Sequence, residues 1–128
     1  MNSPPVETVR VNENCKRHLS TLKRRTGIQN WNVICRWAFS VSIADPTPPQ
    51  KIDKGDWSNV EMSWATFGGS EADLYATLLK ARCYEDGLEL NPLELAEQFR
   101  LHLHRGITKL VGHQDTRSLI GLLELSVS

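Results

Sequence analysis

Between residues 6 and 26 the spacing of apolar residues switches from two to about 3.6, and that switch limits the folds open to the chain. In VETVRVN, residues 6 to 12, Val9 and Val11 fall on one face of an extended segment and Thr8, Arg10 and Asn12 on the other. Residues 13 to 26 then carry Cys15, Leu19, Leu22 and Thr26 as a helical stripe, with Lys16, Arg17, Ser20, Lys23 and Arg24 spread over the opposite face. Gly27 ends that helix where a residue without a Cβ takes positive φ cheaply. Asn30 is placed to cap a second helix over 31–44, in which Ile34, Trp37, Ala38 and Val41 share a face that Val33, Phe39 and Ile43 widen. A helix apolar nearly all round predicts burial, here between subunits, because Trp37, Phe39 and Val41 would otherwise be wet.

Strand, helix, tight turn and helix is the order of a ribbon-helix-helix module. There two chains pair their first strands, the ribbon enters a major groove, and backbone amides at the second helix's amino end hold phosphate. The same order opens many unrelated α+β domains. Residues 45–58, with DPTPPQKIDKGD at their head, read as a connecting loop. Beyond it the spacing predicts a strand over 59–67, alternating Val60, Met62 and Trp64 with Glu61, Ser63 and Ala65 and closed by Gly68 and Gly69. A helix over 71–86 follows, capped by Ser70 with Asp73 and turning Leu74, Leu78 and Ala81 inward. Asn91, Pro92 and Glu94 start a helix running to about 111 with Leu93, Ala96, Phe99, Leu103, Ile107 and Leu110 inward. A last short helix is expected over 118–125. The expected architecture is therefore one domain, mainly α with short β: a basic ribbon-helix-helix-like module over 6–44, then a helical assembly half over 59–128.

Charge is distributed unevenly. The whole chain balances 15 basic against 15 acidic residues, so its overall charge says nothing about a polyanionic partner. Residues 6–43, however, hold seven basic side chains against Glu7 and Glu13, a net of +5, and residues 44–128 hold eight against 13 acidic, a net of −5. Such asymmetry points to a nucleic-acid or membrane surface; the plainer reading is a solvated helix face paired with an acidic neighbour. Cys15, Cys35 and Cys83 are odd in number and far apart, which implies neither a disulfide framework nor a zinc site and suits a reducing cytoplasm. MNSPPVETV lacks the basic and apolar regions of a signal peptide, and no apolar run approaches the roughly 18 residues that span a bilayer, so a soluble chain without membrane contact is expected.

Three longer strings, LKRRTGIQNWNVICRWAFSVSIADP, SNVEMSWATFGG and EQFRLHLHRGITKL, occur in this order and resemble the DndE family of bacterial DNA sulfur-modification proteins over most of residues 6–111. That resemblance implies a small, mainly helical, non-catalytic subunit, without a cofactor, of the machinery that replaces a non-bridging phosphate oxygen of DNA with sulfur. It also implies a homotetramer that binds nicked duplex DNA through basic residues. The partners it implies are a sulfurtransferase of the adenylyl-sulfate reductase type, an SMC-like ATPase and, upstream, a cysteine desulfurase.

The residues that would meet DNA are Lys16, Arg17, Lys23, Arg24 and Arg25, with Arg10 on the strand before them. Lys16 and Lys23 share a face two turns apart, and Arg17 and Arg24 form the parallel row, so two rows could follow a phosphate backbone without regard to base sequence. His102 and His104 form an HxH pair, but on a helix they stand about 200° apart and cannot face one ion, so a structural role at an oligomer interface is expected rather than a metal site. No nucleophile has a His or Asp neighbour at a recognisable spacing, and Gly68 and Gly69 form no phosphate loop. Trp31, Trp37, Trp57 and Trp64 could stack on exposed bases, although tryptophan at these spacings is more often core. Two rival readings remain open: an adaptor for the sulfurtransferase and ATPase that never touches DNA, and a repressor reading an operator with Thr8, Arg10 and Asn12.

Overall fold

In the computed structural model, which describes residues 3–113, the period switch falls where the sequence puts it. Strand β1 (Thr8–Asn12) buries Val9 and Val11, and helix α1 (Glu13–Thr26) buries Cys15, Leu19 and Leu22. Asn12 makes the junction: its Oδ1 accepts the Cys15 N–H at 2.8 Å and so caps α1. Gly27, at φ +75°, closes the other end, its N–H donating to Lys23 O. Helix α2 (Trp31–Ala44) follows; Asn30 stands at its cap position but its side chain makes no capping bond.

β1 pairs within its own chain. Its antiparallel partner is β2 (Trp57–Ser63), with Thr8 opposite Ser63, Val9 opposite Met62 and Arg10 opposite Glu61, and an irregularity before Asn12 meets Trp57. β2 begins and ends earlier than the alternation suggests, because the Ser63 Oγ accepts the Thr66 N–H at 3.1 Å and turns the chain into a short helix, α3 (Trp64–Gly68). Trp64 and Phe67, three apart, then both reach the core, a helical relation rather than an extended one.

One 3-10 turn, Gly69–Glu71, takes the place of the expected Ser70 cap and leads into α4 (Ala72–Glu85). The inward face of α4 is Ala76, Leu79, Arg82 and Cys83, not Leu74, Leu78 and Ala81; Leu74 is 49% exposed. Arg82 sets that rotation. Its guanidinium donates to Ile43 O (2.8 Å), Asp45 O (2.5 Å) and Thr47 O (2.8 Å) while its Nε holds Asp86 at 3.1 Å, so it occupies the carbonyls that the end of α2 leaves open. Arg105 joins it, donating to Ser42 O and Oγ at 2.8 Å each, and Lys109 bonds Asp45. The Lys109 hydrogen bond, then the Thr47 N–H, hold the Asp45 carboxyl well below the usual carboxylate range.

Helix α5 (Pro92–Gly112) runs through the middle of the molecule, packed mainly on α2 and then on α1. The Asn91 Oδ1 caps it by accepting the Glu94 N–H at 2.8 Å. In its first turn Leu95 faces the core and Leu93, expected inward, is 86% exposed; Leu101, His102, Leu103, His104, Gly106 and Ile107 further along are all buried. Phe39 of α2 sits against this stretch. Its ring lies 5.3 Å from Phe99, 6.0 Å from Phe67 and 6.1 Å from Tyr75, which ties α2, α3, α4 and α5 into one aromatic cluster. Phe39 is thus covered by its own chain and not by a second subunit, while Trp37 and Val41 beside it are only partly covered. The helix expected over 118–125 lies outside the described residues.

Candidate nucleic-acid interface

Because Cys15, Leu19 and Leu22 fix the inner face of α1, the helical repeat of 100° per residue points Arg17 and Arg24 straight outward. Lys16 and Lys23 flank that ridge on one side, and Asn14 and Arg25 on the other. Each flank is anchored. The Lys16 Nζ donates to Asn59 Oδ1 on β2 at 2.7 Å, and the Lys23 ammonium lies over the Trp31 ring, 3.9 Å from its centroid. On the other side Arg25 donates to Val111 O at the end of α5 (2.7 Å), and Arg17 to Asn14 Oδ1 (2.9 Å). Among the described residues Arg24 reaches Thr21 Oγ1 alone, at 3.3 Å.

None of these contacts cancels charge. Among the described residues no carboxylate lies within ion-pairing distance of Lys16, Arg17, Lys23 or Arg24, whereas Arg82, Arg100, Arg105 and Lys109 each hold one. The structure therefore places five of the six expected residues on α1 away from its buried stripe, with Arg17 and Arg24 outermost and Lys16 and Arg25 on opposite flanks. Arg10 stands apart on β1, paired with Glu61 at 3.1 Å with both side chains about half exposed. Asn12 is withdrawn from any base-reading role: besides capping α1, its Nδ2 donates to Lys54 O at 2.7 Å and its backbone N–H to His104 Nε2 at 3.2 Å. What sequence reasoning missed is the supporting set, Asn14, Asn59 and Trp31. Only Trp31 left a trace there, since the turn at Gly27 brings the start of α2 back toward the last turn of α1.

The two histidines serve the interior of one chain. His104 donates Nδ1–H to Arg100 O (2.8 Å) and accepts the Asn12 N–H on Nε2, a pattern that requires the neutral ring. His102 shares a 2.8 Å hydrogen bond between Nδ1 and Ser42 Oγ, and its Nε2 is buried without a partner among the described residues. Burial, then the nearby Arg105 and Arg82 guanidinium groups, push the His102 pKa down to about 4, and burial lowers His104 as well. Among the described residues no group of three His, Cys, Asp or Glu could hold a metal ion. Burial pushes the thiols up, Cys15 and Cys83 to about 11 and Cys35 to about 12, away from the reactive thiolate.

A pH dependence follows. Both rings are neutral in the folded chain and protonate at ordinary values when it unfolds, so the unfolded state binds more protons below about pH 6.5. Stability is complete above that value and is lost as pH falls toward about 4, by on the order of 2–3 kcal/mol from His102. Urea unfolding at pH 7, 5.5 and 4.5 checks this, and His102→Gln, which cannot take the proton, should flatten the decline. A parent protein equally stable at pH 7 and 4.5 would contradict it.

No helix among the described residues is long and apolar enough to cross a membrane. In fold the chain is similar to the crystal structure of DndE from Escherichia coli B7A involved in DNA phosphorothioation modification, with a TM-score of 0.70 and 21% identity over 84% of this chain and 99% of that one. A crystal structure of a DndE mutant involved in DNA phosphorothioation is also similar, with a TM-score of 0.65 and 20% identity over the same shares. No curated protein sequence matches. The family model described as DNA sulphur modification protein DndE matches residues 8–118, and the chain belongs to that family.

Proposed function

We propose that this chain is a non-catalytic, DNA-binding subunit of the phosphorothioation system, which lays the basic face of α1 along the backbone of a duplex, nicked where sulfur is to be inserted. The observation that carries this is the ridge of Arg17 and Arg24 flanked by Lys16 and Lys23, held in place by neutral groups and left without carboxylates among the described residues. A term built from phosphate contacts is indifferent to base sequence, which suits a protein that works at the backbone. The open amino end of α2, beside Lys23, adds oriented amides in the manner of a ribbon-helix-helix protein. The repressor reading is weaker, because Asn12 is consumed as a cap and Arg10 is paired. Gel shifts with intact, nicked and single-stranded DNA at two salt concentrations test the proposal. Binding that follows sequence rather than backbone state would overturn it.

An adaptor role can coexist with this one. Leu74 and Tyr84 on α4 and Leu90 and Leu93 beyond it are exposed apolar side chains, 49%, 77%, 49% and 86% respectively. They suit contacts with further copies and with the sulfurtransferase and ATPase partners. A homotetramer is the expected assembly in cytoplasmic conditions, and sedimentation equilibrium at micromolar concentration should return four chain masses. A mass of one chain would rule it out.

A further inference from the structure

Beside the basic ridge, the amino end of α1, the 45–56 loop and α5 enclose a cavity of about 430 Å³. Leu101, Ile52 and the Pro48–Pro49 pair give it apolar walls, and Asn14, Gln50 and Thr108 bring amide and hydroxyl groups to the same space. Ile52, 57% exposed, stands at the mouth as an apolar side chain with little protein to cover it. The cations that line the cavity are already committed: Lys109 and Arg105 face Asp45, and Arg105 also holds Ser42 and Thr47. The two cations share one carboxylate and are tied to protein oxygens, so the walls carry a net positive charge that suits a nucleic acid, and the interior also has spare hydrogen-bonding capacity. The Thr108 hydroxyl gives its proton to His104 O (3.0 Å) and also meets Cys15, whereas the Gln50 amide makes no hydrogen bond among the described residues and the Asn14 amide uses only its oxygen. That oxygen accepts from Arg17, so the rim of the cavity and the cationic ridge meet in one hydrogen bond of 2.9 Å.

We infer that this cavity receives a single unstacked nucleotide of the bound DNA, its base between the apolar walls and its phosphate outside on Arg17. The inference rests on the DNA-binding reading above. A neutral planar ring with donors and acceptors along its edge matches an apolar, amide-rimmed slot, and a phosphate matches the Arg17 guanidinium at its lip, which has no carboxylate partner among the described residues. Taking a base out of the stack costs least where the strand is already broken or mispaired, so the slot favours nicked over intact duplex. It thereby supplies a preference that a phosphate-reading ridge alone cannot.

A nicked duplex carrying 2-aminopurine beside the break tests this, because the fluorescence of that base rises when it leaves the stack. Adding the full chain should raise the signal on the nicked duplex and leave intact duplex, labelled at the same position, dark. Thr108→Trp, which fills the cavity, should abolish the rise and weaken nicked-duplex binding about tenfold, with intact-duplex binding unchanged. Ile52→Ala and Gln50→Ala, both in the exposed loop, should each reduce the rise and serve in place of Thr108→Trp if that variant does not fold. Nicked DNA that is bound with no fluorescence change, or an undiminished rise in all three variants, overturns the inference while the DNA-binding reading stands. So does saturable binding of free deoxyadenosine monophosphate with the bound duplex still stacked, which would make the slot a site for free nucleotide. No binding of any DNA would sink both.

Discussion

Gly106→Ala is expected to destabilise the chain by about 4 kcal/mol or more, the range in which single substitutions become exceptional. A Cβ at this position would stand 1.8 Å from Ala38 O and 2.3 Å from the Ala38 carbonyl carbon. The obstacle is backbone in the middle of another helix, so no rotamer change removes it, and α2 and α5 would have to move apart along their main contact. Phe39, beside Ala38, would then lose its fit to Phe99 and Phe67, and α1, which also rests on α5, would lose its bed. Since whole domains are stable by roughly 5–15 kcal/mol, most of the margin is at stake. Gly112→Ala is the matched control: it lies on the same helix with nothing among the described residues within 4 Å of its Cβ, and it should be neutral or slightly stabilising. Urea midpoints of the two variants, compared with the parent, decide the matter. A Gly106→Ala protein within about 1 kcal/mol of the parent would mean that the helices do not approach as described.

That close crossing also marks the border of what the sequence makes legible. Local rules place β1, α1 and the start of α5: the alternation of Val9 and Val11, the stripe of Leu19 and Leu22, Gly27 after the last turn, and Asn91 ahead of Pro92 and Glu94 each act within a few residues. The failures are all tertiary. The rotation of α4 depends on Arg82 meeting carbonyls some 35 to 39 positions earlier in the chain, a relation no periodicity contains. Ser63 could have capped a helix or ended a strand, and only the core waiting for Trp64 and Phe67 chooses. Leu93 stands about 200° around the helix from Leu95, and it is Leu95 that the core buries; the capping signal sets where the helix starts but not which of the two leucines turns inward. In the candidate interface, the five cations of α1 were readable from charge and spacing, and so was their face. The neutral anchors were not, since Lys16 meets Asn59 across 43 positions.

The second large effect concerns the outward ridge. Arg17→Ala with Arg24→Ala should remove most measurable binding of nicked duplex at moderate salt, and Lys16→Ala with Lys23→Ala should weaken it less, because the lysines lie on the flank and are partly engaged by Asn59 and Trp31. Each phosphate contact contributes about 0.9 to the slope of log affinity against log salt, so either pair should make that slope shallower by roughly 1 to 2 in one subunit, and by more if several subunits share the duplex. The loss should be nearly the same for unrelated sequences, as these side chains neutralise phosphates and read no base edge. Folding should survive: the arginines are exposed and change stability by less than about 0.5 kcal/mol, while Lys23 gives up a cation–π contact of about 0.5–1 kcal/mol. Glu61→Ala supplies the converse test. It frees Arg10 from its ion pair and adds net positive charge to the ribbon beside α1, so DNA binding should tighten and the salt slope steepen if backbone electrostatics govern the encounter. If the arginine pair binds nicked duplex as tightly as the parent, with the same salt slope, the ridge is a solvated face, and the α4 surface around Leu74 and Tyr84 becomes the functional one.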